Sequence, residues 1–170
     1  MDKRILFSLS YGLYIVSSVN NNGKPNGQVA NTVFQITSDP VTVAISINKL
    51  NLTHEFILQS KLFSISILNE NTSLKFIGKF GFKSGRDIDK FADTKYDLGV
   101  NDLPLITENS VGYIACNVEK TVNIGETHTL FIGNMVVGEI LNNSRPMTYT
   151  YYHNKKNGKT PEKAPTFIKI

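Results

Sequence analysis

Within Gly81-Phe82-Lys83-Ser84-Gly85-Arg86, two cations bracket a hydroxyl and a glycine. Such a turn offers a phosphate positive charge, a hydroxyl and exposed backbone N–H groups at once. It is not a nucleotide-hydrolysing P-loop, because Phe82 stands where that motif needs a glycine directly before its lysine. The competing reading, stronger on local sequence alone, is a surface turn whose charges pair with Asp87 and Asp89. A second group, Asn31-Thr32-Val33-Phe34-Gln35, sets amides and a hydroxyl beside a β-type run. Those groups suit the polar edge of a ring or a ribityl chain, although a strand-end turn that satisfies its own backbone explains them more simply. In Asn48-Lys49-Leu50-Asn51-Leu52-Thr53-His54, helix capping accounts for Asn51 and Thr53 but gives Lys49 and His54 no task. His128, following Gly125 and Glu126, would orient a substrate or donate to a ring carbonyl, while a lone histidine is more often structural.

Several chemistries are excluded. No Gly-x-Gly-x-x-Gly occurs, which removes a Rossmann dinucleotide domain. The single cysteine, Cys116, forbids an internal disulfide and reads as a small buried hydrophobe inside a β-type run. There is no Cys-x-x-Cys, no His-Glu-x-x-His and no clustered Cys/His pair, so no metal site is expected. No Ser-His-Asp or Cys-His spacing supports nucleophilic hydrolysis. A net charge of +4 helps bind phosphates or an acidic partner but falls short of a nucleic-acid footprint. A single-stranded nucleic-acid module, suggested only by that charge with ten Phe and seven Tyr, is the weakest reading. The run from Ile5 to Leu13 is too short and too Ser-rich to span a bilayer and has no cleavage site behind it, so a cytoplasmic protein without membrane attachment is expected.

The elements that must position these groups are short β-rich runs separated by turn clusters, the pattern of a sandwich or barrel. Gly12 to Val19 reads as a strand, Asn20 to Gly27 as a loop with a strand after it, and Val33–Thr37 and Val41–Ile47 as strands either side of Ser38-Asp39-Pro40. Leu62–Leu68 is another, and from Val111 to Leu141 two long β stretches face each other across a loop over Asn123–His128. That count favours a closed barrel. Helices are short: one capped at Asn51 or Thr53 and running to about Gln59, one from Asn71 or Thr72 to about Lys79, and a turn-length third over Arg86–Ala92 with Ile88 and Phe91 facing the core. With 41% hydrophobic residues in 170, one domain with one substantial core is expected, over residues 1–154. Residues 155–170, rich in Lys and with little periodicity, read as an extended C-terminal arm.

Six segments in order, Gly12-Leu13-Tyr14-Ile15-Val16, Asn26-Gly27-Gln28, Asn31 to Gln35, Asn48-Lys49 with Asn51 and Thr53-His54, Phe80 to Asp87 with Lys90-Phe91, and Gly125 to Gly133, resemble the flavin reductase-like family of FMN-binding split barrels. Within it, the chain is most similar to the flavoredoxin type and the flavin domain of high-molecular-weight rubredoxin. The resemblance implies a mainly β, FMN-binding split barrel that works as a homodimer and passes electrons from NAD(P)H through bound FMN to rubredoxin, free flavin or another redox partner. A non-catalytic flavin carrier or storage protein of the same fold is the alternative. It further implies that Asn31, Thr32, Val33, Phe34, Lys49, Asn51 and Thr53 contact the flavin, that Lys83, Ser84 and Arg86 reach its phosphate or ribityl end, and that His128 is the catalytic residue beside the ring.

Overall fold

The computed structural model describes residues 1–168. The last two residues of the expected C-terminal arm lie outside the described residues.

Among the described residues nine strands form: β1 (Tyr14–Val19), β2 (Pro25–Ala30), β3 (Val33–Ser38), β4 (Val41–Asn48), β5 (Leu62–Leu68), β6 (Tyr96–Leu98), β7 (Pro104–Ile106), β8 (Ser110–Ile124) and β9 (His128–Ile140). Seven make one antiparallel sheet in the order β2-β1-β5-β8-β9-β4-β3, while β6 and β7 pair separately. The sheet rolls around Val16, Ile45, Ile57, Phe63, Ile65 and Phe131, all buried in one cluster. It does not close. The edge strands β2 and β3 are unpaired with each other among the described residues, and only Asn31 and Thr32 carry the chain from one edge to the other. The barrel is therefore split, not closed as the strand count alone suggests.

The side-chain alternation along β1 supplies two cores at once, because successive residues of a strand point to opposite faces. Val16 belongs to the barrel interior, while Ile15 packs with Leu13, Leu68, Phe76, Phe80 and Phe91 on the outer face. That outer cluster is covered by α2 (Leu74–Gly81) and reaches Tyr152 of α3 (Tyr149–Asn154). Against β1, β2, β4 and β5 packs α1 (Leu52–Ser60).

Several boundaries differ from expectation for local reasons. The loop expected over Asn20–Gly27 is shorter, because Pro25, Asn26 and Gly27 already pair with Val19, Ser18 and Ser17. A proline as first strand residue gives up no ladder bond that the hairpin needs. The turn itself is held by Asn20, whose Oδ1 accepts from the Asn22 and Lys24 amides, with Gly23 at φ +75°. Likewise the loop between the long strands is only Gly125–Thr127, and His128 is a strand residue paired with Ile124 of β8 and Asn48 of β4. The second helix starts later than expected, at Ser73, whose hydroxyl accepts from the Phe76 amide; Thr72 instead donates to the Asn69 carbonyl. Arg86–Ala92 is a series of turns and not a helix. There Asp89 accepts from the Phe91 amide, which buries Phe91 but leaves Ile88 38% exposed.

Gly133 of β9 shows how tightly the barrel is filled: a Cβ there would lie 2.7 Å from the Phe63 ring and 2.8 Å from the Cys116 Cβ. Both neighbours are fully buried and neither can swing aside. Gly133→Ala is expected to lower stability by about 1–3 kcal/mol, the usual cost of overpacking, read as a lower urea midpoint at unchanged m-value.

Candidate functional site

A cavity of ≈ 430 Å³ opens between β2, the first turn of α1, the Gly81–Gly85 loop and the folded-back arm at Thr160–Pro165. That size falls within the range of small-molecule sites. Its polar lining comes from Asn26 and Gln28 of β2, Asn31 at the split, Ser46 of β4, and Asn51 and Thr53 of α1; Lys83, Ser84 and Lys90 add a hydroxyl and two amines.

The helix-capping explanation of Asn51 and Thr53 does not hold. Asn51 is the N-cap residue by position, yet its side chain makes no capping hydrogen bond. Thr53 is buried inside the helix, where its Oγ1 accepts from Asn26 Nδ2 at 2.8 Å. That bond ties β2 to α1. The loop after α2 closes on the same point: a Cβ on Gly85 would stand 2.0 Å from Asn26 Oδ1 and 3.2 Å from Leu52, so only a glycine fits. Arg86 does not pair with Asp87 or Asp89 as a free surface turn would require; its guanidinium bonds Glu55 of α1, securing the loop to the helix. The arm is anchored across the opening by Asn31 Nδ2, which donates to Thr166 Oγ1 at 2.6 Å, and by Tyr152, whose hydroxyl donates to the Lys159 carbonyl at 2.9 Å.

Of the residues expected at the site, Asn31, Asn51, Thr53, Lys83 and Ser84 line this cavity, whereas Thr32, Val33, Phe34, Lys49, Arg86 and His128 do not. Thr32 donates to Asn31 Oδ1 at 3.2 Å, and its carbonyl accepts from Ser46 of β4. Val33 and Phe34 begin β3, with Phe34 49% exposed. Lys49 and His128 form a second group. Lys49 Nζ donates to the Gly125 carbonyl at 3.3 Å and its amide donates to the Thr127 carbonyl at 2.9 Å. His128 Nδ1 lies 2.9 Å from Thr127 Oγ1, while its Nε2 is buried and has no hydrogen-bond partner. Asn48, the strand partner of His128, orients the chain toward Asn51 by accepting from the Leu50 amide at 3.0 Å. The two groups are thus joined by one turn of backbone.

His54 and Cys116 have structural places. His54 is buried, with Nε2 2.8 Å from Thr129 Oγ1 and its ring tilted on Phe131. Burial, reinforced by the Lys49 charge, holds its pKa below the ordinary histidine value. Cys116 lies in the barrel core, where burial pushes its thiol up to about 12 and removes thiolate chemistry. Sequence reasoning gave no site role to Asn26, Gln28, Ser46 or Lys90. Asn26, Gln28 and Lys90 all stood in segments noted for their resemblance, but nothing local to Lys90, between Asp89 and Phe91, tells that it is buried.

The family model for the flavin reductase like domain matches residues 6–159, and the chain belongs to that family of oxidoreductases. It is 50% identical to a high molecular weight rubredoxin of Moorella thermoacetica over 98% of this chain and 72% of that protein. It is 43% identical to a ferric-chelate reductase (NAD(P)H) of Archaeoglobus fulgidus, over 99% of this chain and 98% of the relative. Among solved structures, the NADH:FAD oxidoreductase of Streptomyces globisporus superposes with a TM-score of 0.75 at 21% identity, covering 88% of this chain and 86% of that one. An FMN-binding protein from Thermus thermophilus gives a TM-score of 0.70 at 22% identity, covering 78% and 72%. These structures share the fold. No helix among the described residues is long and apolar enough to cross a membrane.

Two outcomes test this geometry. Thr53→Val removes the acceptor of a buried amide and is expected to cost about 1–3 kcal/mol in urea unfolding. The second concerns pH. Because His54 is held below its unfolded pKa of about 6.5, the unfolded chain binds more protons below that pH, and the stability His54 contributes is lost as pH falls from there through its folded value. Unfolding midpoints measured from pH 7.5 to 5 should fall for the wild type and fall less for His54→Gln.

Proposed function

We propose that the chain is an NAD(P)H-dependent flavin reductase that binds FMN in the cavity between β2, α1 and the Gly81–Arg86 loop and passes electrons to an acceptor. The observation that carries this reading is an unmet polar demand at the cavity: Gln28 Oε1, on its wall, is buried without a partner, as is His128 Nε2 in the adjoining group with Lys49. Buried polar atoms are normally satisfied, so an orphan on a cavity wall is a place where a ligand can supply the missing bond, unlike the Ser17 and Ser66 hydroxyls, which are orphaned away from the cavity. The residues fit the group. Lys83 and Ser84 stand at the phosphate end with Arg86, which would exchange Glu55 for the phosphate. Asn31, Thr32, Asn51 and Thr53 serve the ribityl chain and ring edge, and Lys49, Val33 and Phe34 the ring.

Bound FMN supplies the hydride-accepting and electron-relaying chemistry itself. What the chain must do is hold the nicotinamide against one ring face, exclude water and leave the other end of the path open to an acceptor; no general base is required. His128 has the position of an orienting donor, since Thr127 engages its Nδ1 and leaves Nε2 for the ligand. The apolar side chains on the open edge, Phe34 at 49% and Ile36 at 44% exposure, support a homodimer that covers β3. The relative named a rubredoxin and the relative named a ferric-chelate reductase support a rubredoxin or another small redox partner as acceptor, with free flavin a third candidate. We place the protein in the cytoplasm, with residues 1–154 as the flavin domain and 155–170 as its arm.

An anaerobic absorbance titration decides the reading. FMN bound to the wild type is expected to bleach on adding NADH or NADPH, whereas a bound flavin that stays oxidised would make the protein a carrier, and no flavin binding would overturn the assignment. In the same assay His128→Ala should slow bleaching more than it weakens FMN binding; an equal loss in both would make His128 a folding or binding residue.

A further inference from the structure

Lys90 is only 4% exposed, yet it lines the cavity. Its Nζ donates to the Gly27 carbonyl at 2.9 Å and to the Phe80 carbonyl at 3.2 Å. An ammonium has three donors, so one remains. No carboxylate pairs with Lys90 among the described residues: the ion pairs there join Arg4 to Asp2, Lys79 to Asp93 and Arg86 to Glu55. Two carbonyls and the Phe80 ring, whose centroid lies 5.9 Å from Nζ, explain a donor at this point but do not neutralise a charge, because an ammonium without a counter-ion is costly to bury and a neutral amide would satisfy the same oxygens. The cost is visible in the amine itself, which burial pushes down to about 8.

The next residue along β2 from the carbonyl that Lys90 holds is Gln28, whose Oε1 is buried without a donor. Gln28, Lys90 and the Lys83-Ser84-Gly85 loop line one cavity. Its wall therefore presents an unpaired cation and an unpaired acceptor. The chemistry that meets both demands is an anion joined to a hydroxyl-bearing chain, that is, a polyol phosphate. Glu162 and Lys163 of the arm also line the cavity, and Glu162 does not serve as a buried counter-charge, since it is exposed and forms no ion pair among the described residues.

We propose that Lys90 reads the phosphate ester of the flavin and Gln28 a hydroxyl of its ribityl chain, so that this pair makes the protein select FMN over riboflavin. The proposal rests on the flavin reading of the cavity, and goes beyond it in assigning the selectivity to a buried lysine instead of the exposed cations of the loop.

The test is fluorescence titration of FMN and of riboflavin into the wild type, Lys90→Met and Lys90→Gln, with the melting temperature of each ligand-free protein. The wild type is expected to prefer FMN by about tenfold or more, as charge-assisted bonds to a phosphate would give. Both variants should lose most of that preference by weakening FMN about tenfold while riboflavin stays within about twofold, and ligand-free Lys90→Gln, whose amide can still donate to the Gly27 and Phe80 carbonyls, should melt no lower than the wild type. A retained preference, an equal loss for both flavins, or failure of both variants to fold would make Lys90 a strut for the Gly27 and Phe80 carbonyls and overturn the proposal. A wild type that binds neither flavin would instead remove the flavin reading beneath it.

Discussion

The buried hydrogen bond from Asn26 to Thr53 brings an edge strand and a helix start together at the mouth of the split barrel, and the cavity is arranged around it. β2 is unpaired on its outer side, so its position there is set by side chains and not by a ladder. Asn26 spends its amide nitrogen on Thr53 and turns its oxygen toward Gly85, against which no side chain larger than hydrogen fits. The Gly81–Arg86 loop can therefore lie flush on β2, while the Arg86–Glu55 pair holds its far end to α1. Three elements distant in sequence meet at one amide, which is how a chain without a Rossmann motif builds a phosphate-sized polar recess.

Around that junction the charges divide into two kinds. Arg86 is exposed to solvent and has a carboxylate partner, whereas Lys90 lies beneath the surface without one. Exposed pairs are screened and contribute little, while a buried cation acts at short range in a poorly screened medium. The same division separates two of the three histidines: His54 is satisfied by Thr129 and sealed into the barrel end, and His128 keeps one ring nitrogen without a partner. In each case the residue with an unmet demand lies at the polar site or one turn of backbone from it, and the satisfied residue belongs to the frame.

Much of this was legible in the sequence, for reasons that differ by element. The strands at Leu62–Leu68 and Val41–Ile47 declare themselves because β-branched and apolar side chains alternate or run between turn residues, and those propensities agree with the fold. The six segments from Gly12 to Gly133 point to the family by their order, and Asn31, Asn51, Thr53, Lys83 and Ser84 do meet at one cavity. What local pattern could not give was partnership. Asn51 looks like a cap and makes no cap bond, because its carbonyl and backbone serve the helix while its side chain lines the cavity. Arg86 looks committed to Asp87 or Asp89 and bonds Glu55, thirty-one positions away. Lys90 is buried, which its neighbours in sequence do not reveal, since burial depends on how Phe91 and Phe80 pack. Strand count tells how much sheet exists but not whether it closes: the split that the ordered segments implied is seen in β2 and β3, which stay unpaired with each other among the described residues although only Asn31 and Thr32 link them.

The location of the cofactor is the claim on which the chemistry stands, and a crystal structure of the protein grown with FMN tests it most directly. The phosphate is expected among Ser84, Lys83 and Lys90, with the ribityl chain along Gln28 and Asn31 and the Asn26–Thr53 bond intact beneath it. Flavin density elsewhere, with this cavity filled only by solvent or the arm, would contradict that placement.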